Sequence, residues 1–276
     1  MFHGQVRFTM TMPIIRSIYD NAHSARLASR KGELTTSTSG VAPGYQQGNL
    51  VILPKKDAED FLRFCVLNPK PAPILDVSEP GDVSLARLGS EIDIRFDVPK
   101  YRIFRDGIHA ETVSDLSSVW RADLVTFVLG CSFSFEDALV KANIPVRHMD
   151  NGKNVPMYVT DVETVSAGCF GGPMVVSMRP FAPKSAIQAM ILSAQMPEAH
   201  GAPIHFGDPS IIGIKDIMKP DFGDAPDILL GEVPVFWACG VTPQTAILRA
   251  RPSLAITHEP GHMLVTDLRS DGGRTF

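Results

Sequence analysis

The chain has 276 residues, 44% hydrophobic and 20% charged, with a formal net charge of -4. That composition suits one large or two modest globular domains. It offers no basic field to hold a phosphate backbone, and no apolar run nears the roughly 20 residues of a membrane-spanning helix, so neither nucleic acid nor a membrane is an expected partner.

The first 19 residues carry no acid, a bias shared with transit peptides, but Pro13 interrupts any amphipathic helix there and an irregular start is expected. Apolar residues recur at near-helical spacing over 14–30, predicting a helix over about 17–31 that Gly32 can end. Residues 35–48 are rich in Thr, Ser and Gly. They read as a connector, or as a loop whose N–H groups turn toward an anion. Residues 50–53 read as a buried strand and 57–67 as a helix with Phe61, Leu62, Phe64 and Cys65 inward, broken by Pro69, Pro71 and Pro73. The alternation over 92–96 predicts a strand, as does 100–104 before a turn at Asp106-Gly107.

Two later segments resemble each other at an offset of 108 residues. Val125 to Ala142 and Val233 to Ala250 each run from an apolar strand through a small residue, a cysteine and a short loop. Ser134 or Thr242 follows, then Glu136 or Gln244, then a helix. The match predicts two equivalent halves of one sheet. Ser134 and Thr242 are the expected N-caps, with Asp137 completing a capping box and Pro243 at the first helical position. Each helix start would then lie off a strand's C-terminal edge, where ligands sit and a carboxylate is favoured. Between the segments, strands at 156–160 and 173–178, a helix at 185–195 and short strands at 203–206 and 211–214 suggest a smaller inserted domain. The expected division is 14–145 plus 226–270 for a main α/β domain and 146–225 for the insert.

Cys131 and Cys239 are the foremost candidates for chemistry, because a helix N-terminus lowers a thiol's pKa and makes it a better nucleophile or base. Ser132, Ser134, Gly240 and Thr242 are placed to bind a carboxylate through side chains or loop N–H groups, beside Gln244. Glu136 is a candidate acid or base in the first helical turn. His258 and His262 are four apart, but Pro260-Gly261 breaks the helix a metal pair would need, so they read as loop histidines handling a proton, with Asp267 able to orient one. Arg179 would take a substrate carboxylate bidentately, and His205 stands with His200 in a Gly/Pro loop of the kind that carries function. Cys65, Cys131, Cys169 and Cys239 form no CxxC pair and no disulfide scaffold, so a reducing cytoplasm is expected. No nucleotide, pyridoxal phosphate or zinc motif is present, and neither a cofactor nor a metal is implied.

The blocks Gly40-Val-Ala-Pro-Gly-Tyr45, Asn68-Pro-Lys-Pro71, Gly130-Cys-Ser-Phe-Ser-Phe-Glu136, Asn154-Val-Pro-Met157, Val175-Val-Ser-Met-Arg-Pro180, His200-Gly-Ala-Pro203, Val235-Phe-Trp-Ala-Cys-Gly-Val-Thr-Pro-Gln244 and Pro260-Gly-His-Met263 with Thr266-Asp267 resemble the D-glutamate cyclase-like family of hydro-lyases. The resemblance spans about 14–268. It implies a three-layer α/β main domain with an inserted two-layer α+β domain. It also implies dehydrative closure of D-glutamate to 5-oxo-D-proline, and therefore a small anionic substrate. Two rival readings stand beside it: a cofactor-independent racemase or epimerase using Cys131 and Cys239, and a non-catalytic amino-acid-binding protein. Either way, assembly into a homo-oligomer is allowed.

Overall fold

The computed structural model describes residues 19–270. It is a mixed α/β structure with one seven-stranded and one four-stranded sheet. Helix α1 (Ala22–Arg30) opens it, capped by the Asn21 side chain accepting from the Ser24 amide. The expected start of this helix at 17 lies outside the described residues. Arg26 is buried on its inner face and donates to the Val265 carbonyl and the Asp267 carboxylate, which ties α1 to the last strand. Asp267 therefore orients this arginine and not a histidine.

Strand β1 (Tyr45–Pro54) follows. It begins five residues before the apolar run that announces it, so the connector ends at Gly44. Its first half is polar yet buried, which a strand tolerates when side chains find partners. Gln46 donates to the Arg269 carbonyl, Gln47 to that of Thr38 and Asn49 to that of Gly130. Helix α2 (Lys55–Leu67), β2 (Ile74–Val77), the hairpin β3 (Tyr101–Arg105) and β4 (Ile108–Val113), and β5 (Leu124–Gly130) come next. With β10 (Ala255–His258) and β11 (Leu264–Arg269) they complete the larger sheet in the order β2-β5-β1-β10-β3-β4, β11 pairing β1. Every recorded pairing is antiparallel.

Residues 92–96 form turns and no strand. Ile92 and Ile94 do point inward, but the Asp93 carboxylate accepts from the Arg95 amide and side chain, a local bond that competes with a sheet ladder. The pleat sorts the larger sheet's side chains. Val51, Leu53, Phe127 and Leu129 pack on one face against Phe61 and Phe64 of α2, while Leu50, Ile52 and Val128 meet Leu85, Leu88 and Ile94 on the other.

The smaller sheet has the order β6-β7-β9-β8, from β6 (Met157–Glu163), β7 (Pro173–Phe181), β8 (His205–Phe206) and β9 (Val233–Ala238). The expected strand at 211–214 is replaced by a 3-10 turn over Pro209–Ile212. Helices α3 (Phe133–Lys141) and α5 (Pro183–Ala194) cover one face through Phe135, Leu139, Ala186 and Ala189 on Val235 and Trp237. A short helix, α4 (Arg147–Asp150), precedes β6.

The two similar segments are not halves of one sheet. β5 lies in the larger sheet and its helix α3 packs on the smaller. β9 lies in the smaller sheet, and its helix α6 (Val241–Ala250) sends Ala246 and Ile247 into the core of the larger. Each segment thus crosses from one sheet to the other. The crossings meet at Cys131 and Cys239, which share one apolar cluster with Phe133, Val155, Met157, Val175, Val241 and Met263.

Candidate active site at the crossing of the two sheets

Both strand-to-helix junctions need glycine. A Cβ on Gly130 would sit 1.6 Å from the Glu198 carbonyl oxygen, and one on Gly240 would sit 2.2 Å from the Asn49 amide nitrogen. The chain turns directly into each helix, so the caps are Ser132 and Gly240, two residues earlier than expected. Ser134 and Thr242 lie inside the first turns. Ser134 Oγ accepts from the Gln47 amide, and Thr242 Oγ1 accepts from the Val175 amide and donates to its carbonyl. Each hydroxyl therefore fastens its helix to a neighbouring strand. The capping box does not form: Asp137 instead accepts from the Gly44 amide at 2.6 Å. The loop before β1 does present an N–H to an anion, and the anion is the protein's own.

At the junctions lies a recess lined by Asn49, Cys131, Ser132, His200, Cys239 and His258, among others. Its free volume is about 30 Å³, room for a water or two. It shares Phe133, Asn154, Pro260 and Gly261 with an outer cleft of about 730 Å³ that carries His148, Lys153 and His262. The loop over 36–41 forms one wall of that cleft. Of the expected residues, Cys131, Ser132, Cys239, Gly240 and His258 meet in the recess. His262 lines the cleft, with Nδ1 3.1 Å from the Pro260 carbonyl. Gln244 stands behind His258 at 3.4 Å. His205 lies apart on β8, stacked on Phe236 and bonded to the Asp208 carbonyl.

The thiols are not activated as expected. Burial pushes Cys131 up to about 12 and Cys239 up to about 11, outweighing the nearby amides of Phe133 and Val241. Both are protonated at neutral pH, because desolvation here exceeds what the helix ends return. Cys239 adds to the cost of ionising Cys131, since its charge counts against that of the neighbouring thiol.

Arg179 and Glu136 also differ from expectation. Both are 1% exposed, and Arg179 gives its donors to Glu136, Ser132 and Ser177 while lying against Phe135 and Trp237. Burial alone would raise the Glu136 carboxyl; Arg179 and then His148, 3.3 Å away, outweigh it and hold it at about 2. Arg179 therefore does not reach the recess as a free guanidinium. It fixes Ser132, and with it the start of α3, against β7.

The histidines are held by backbone groups. His258 Nδ1 accepts from the Leu50 amide at 3.0 Å, where a ladder bond between β1 and β10 would otherwise continue. His200, unassigned from sequence, bonds through Nδ1 to the Lys70 carbonyl at 2.7 Å and lines the recess. Burial pushes each ring down to about 4, so both are neutral. The signal for His200 was its place before Gly201 in a Gly/Pro loop. Asn49, also missed, is the polar residue that opens the apolar run of β1.

The fold and site thus define a mixed α/β protein with a recess at the junction of two sheets, walled by paired helix starts, thiols and neutral histidines. Residues 125–267 match the D-glutamate cyclase family, and this chain belongs to that family. Relatives named "Putative hydro-lyase" include one from Verminephrobacter eiseniae, 57% identical over 91% of each chain. One from Bordetella pertussis is 56% identical over 92% of each, and one from Azorhizobium caulinodans is 57% identical over 89% of this chain and 90% of that one. A solved nitrogen repressor-like protein from Methanococcus jannaschii overlaps 86% of this chain and 91% of that one at 10% identity and a TM-score of 0.36, too loose a likeness to bear on fold or function. Among the described residues no helix is long and apolar enough to cross a membrane.

Proposed function

We propose that the protein is a hydro-lyase that closes an amino dicarboxylic acid, D-glutamate, to 5-oxo-D-proline with loss of water. The observation that carries the reading is the recess itself, where two helix starts and two neutral histidines converge. The helix starts favour a carboxylate because the dipole is positive there; the amides of Ser134, Phe135 and Thr242 are already paired with carbonyls of the junctions. The donors around Ser132 and Gly240 would hold the carboxylates and the oxyanion that develops at the attacked carbon. His258 would add a side-chain donor. A glutamate-sized acid exceeds the recess, so the substrate would also occupy its mouth in the outer cleft, where Lys153 and His262 stand. Asn154 and Phe133 border both spaces.

The test is to incubate purified protein with D-glutamate and follow by mass spectrometry the appearance of a product lighter by one water. Turnover of D-glutamate, or of another small acid in a panel, supports a hydro-lyase. Unchanged substrate throughout the panel sinks it.

One observation favours a second reading. Both thiols line one recess, at matching positions of the two similar segments, and a racemase needs two such groups to move a proton on and off one carbon. Such an enzyme would exchange the α-hydrogen of its substrate in deuterated water without loss of water, and both Cys131→Ser and Cys239→Ser would abolish that exchange. Water loss without α-exchange excludes it.

A further inference from the structure

We propose that His200 is the proton-carrying catalytic residue of the recess and that it works opposite His258, the two rings locked by backbone groups in opposite tautomers. The proposal rests on the ring-closure reading above and adds a residue and a division of labour to it.

A carbonyl oxygen only accepts, so the 2.7 Å bond to the Lys70 carbonyl places the ring hydrogen of His200 on Nδ1. Nε2 then carries a lone pair, and among the described residues it has no hydrogen-bond partner. His258 Nδ1 lies 3.0 Å from the Leu50 amide, which only donates, and 3.4 Å from the Leu50 carbonyl, which only accepts; the shorter bond places the lone pair on Nδ1 and the hydrogen on Nε2. Gln244 places its amide nitrogen 3.4 Å from His258 Nε2; with the hydrogen on Nε2 that amide turns over to offer its oxygen, and the long contact leaves the N–H free to share with a ligand. One ring presents a base to the recess and the other a neutral donor.

Both rings are rigid. His200 is 1% and His258 2% exposed. His200 is held in the left-handed region, φ 76°, followed by Gly201 at 66°. Its loop is tied a second time, by Lys70 Nζ donating to the Ala202 carbonyl. Burial keeps His200 neutral, with its lone pair available at neutral pH. An anionic substrate beside it would favour the charged ring and raise its basicity on binding.

His200 Nε2 takes a proton from the substrate ammonium group and passes it to the γ-carboxylate, making it a carboxylic acid. The amine lone pair then forms the C–N bond, and the carbonyl π pair moves onto oxygen, which accepts a hydrogen bond from His258 Nε2. The new ring nitrogen gives a second proton to His200. The oxyanion pair re-forms the carbonyl as the C–OH bond breaks, and His200 returns the proton to the departing hydroxide. Water leaves and His200 is neutral again. His258 keeps its hydrogen throughout, because a neutral imidazole is a useful donor but a poor acid.

Two measurements decide it. In ¹⁵N-labelled protein at neutral pH, the side-chain nitrogens of His200 should show hydrogen on Nδ1 and a lone pair on Nε2, and His258 the reverse. The same tautomer in both rings, or a charged ring, overturns the proposal. The variant His200→Asn isolates the chemistry, since asparagine tolerates positive φ and can keep a donor on the Lys70 carbonyl. It should remain folded, with the parent's circular dichroism spectrum, and keep KM, while kcat for D-glutamate falls about 10²–10⁴-fold. A kcat within tenfold of the parent overturns the proposal. If the parent itself leaves D-glutamate unchanged, ring closure fails by that result, and the nitrogen spectrum still decides the tautomer pair.

Discussion

Burial sets the protonation of Cys131, Cys239, His200 and His258, the titratable side chains of the recess. Neither Cys131 nor Cys239 is a thiolate at neutral pH, since burial lifts both far above it. Iodoacetamide at pH 8 should therefore label the exposed Cys169 well before either, read by peptide mass spectrometry. Rapid labelling of Cys131 or Cys239 would contradict the burial argument. The histidines act on stability. His200 and His258 titrate near 4 when folded and near 6.5 when unfolded. Between those values the unfolded chain binds protons the folded one refuses, so stability falls as pH drops from about 6.5 to 4 and the loss is complete below that. Each ring contributes a loss on the order of 3 kcal/mol. Urea denaturation of the parent and of His258→Asn at pH 7 and pH 5 checks this: the variant should lose less between the two. Glu136 acts the same way lower down, its stabilisation fully present above about 4.5 and lost as pH falls toward 2.

At the scale of elements, the junctions between strand and helix carry the site, and glycine makes them. Gly130→Ala should destabilise the protein at or above the top of the usual overpacking range of about 1–3 kcal/mol, because the carbonyl it meets is backbone and cannot move away. Gly240→Ala meets the end of the Asn49 side chain and should cost less, and Asn49→Ala should recover part of that cost. Thermal or urea unfolding of the three variants measures this; equal costs for the two glycines would contradict it. These junctions also mark how far the sequence could be read. The strand, cysteine and helix of each segment were legible because their apolar runs are long and their caps polar. The caps were misplaced by two residues because Ser134 and Thr242 look like caps but bond to the neighbouring strands. The strand expected at 92–96 failed because Asp93 and Arg95 satisfy each other locally. His200 is legible in the sequence only as part of a Gly/Pro loop with His205, because the bond that makes it useful comes from Lys70, 130 residues away.

At the scale of the whole molecule, the two sheets are joined by segments that start in one and finish on the other. That crossing has no local signature, since the pattern of each segment is equally compatible with a single sheet. It is held by the Arg179–Glu136 pair, which binds β7 of the smaller sheet to α3, whose strand β5 belongs to the larger. Breaking a buried pair strands one charge, so Glu136→Gln or Arg179→Met should each cost about 3–5 kcal/mol in urea unfolding. The double variant should cost less than their sum. Additive costs would show that the pair does not join the sheets. The family match begins at β5 and runs through β11, so it includes both crossings and every recess residue except Asn49.

The most direct measurement is a crystal structure of the protein with 5-oxo-D-proline bound. The ligand carboxylate should lie against the first turns of α3 and α6, with its ring carbonyl near His258 Nε2 and its ring N–H toward His200 Nε2. A ligand seated away from Cys131 and Cys239, or a protein that takes up none, would contradict it.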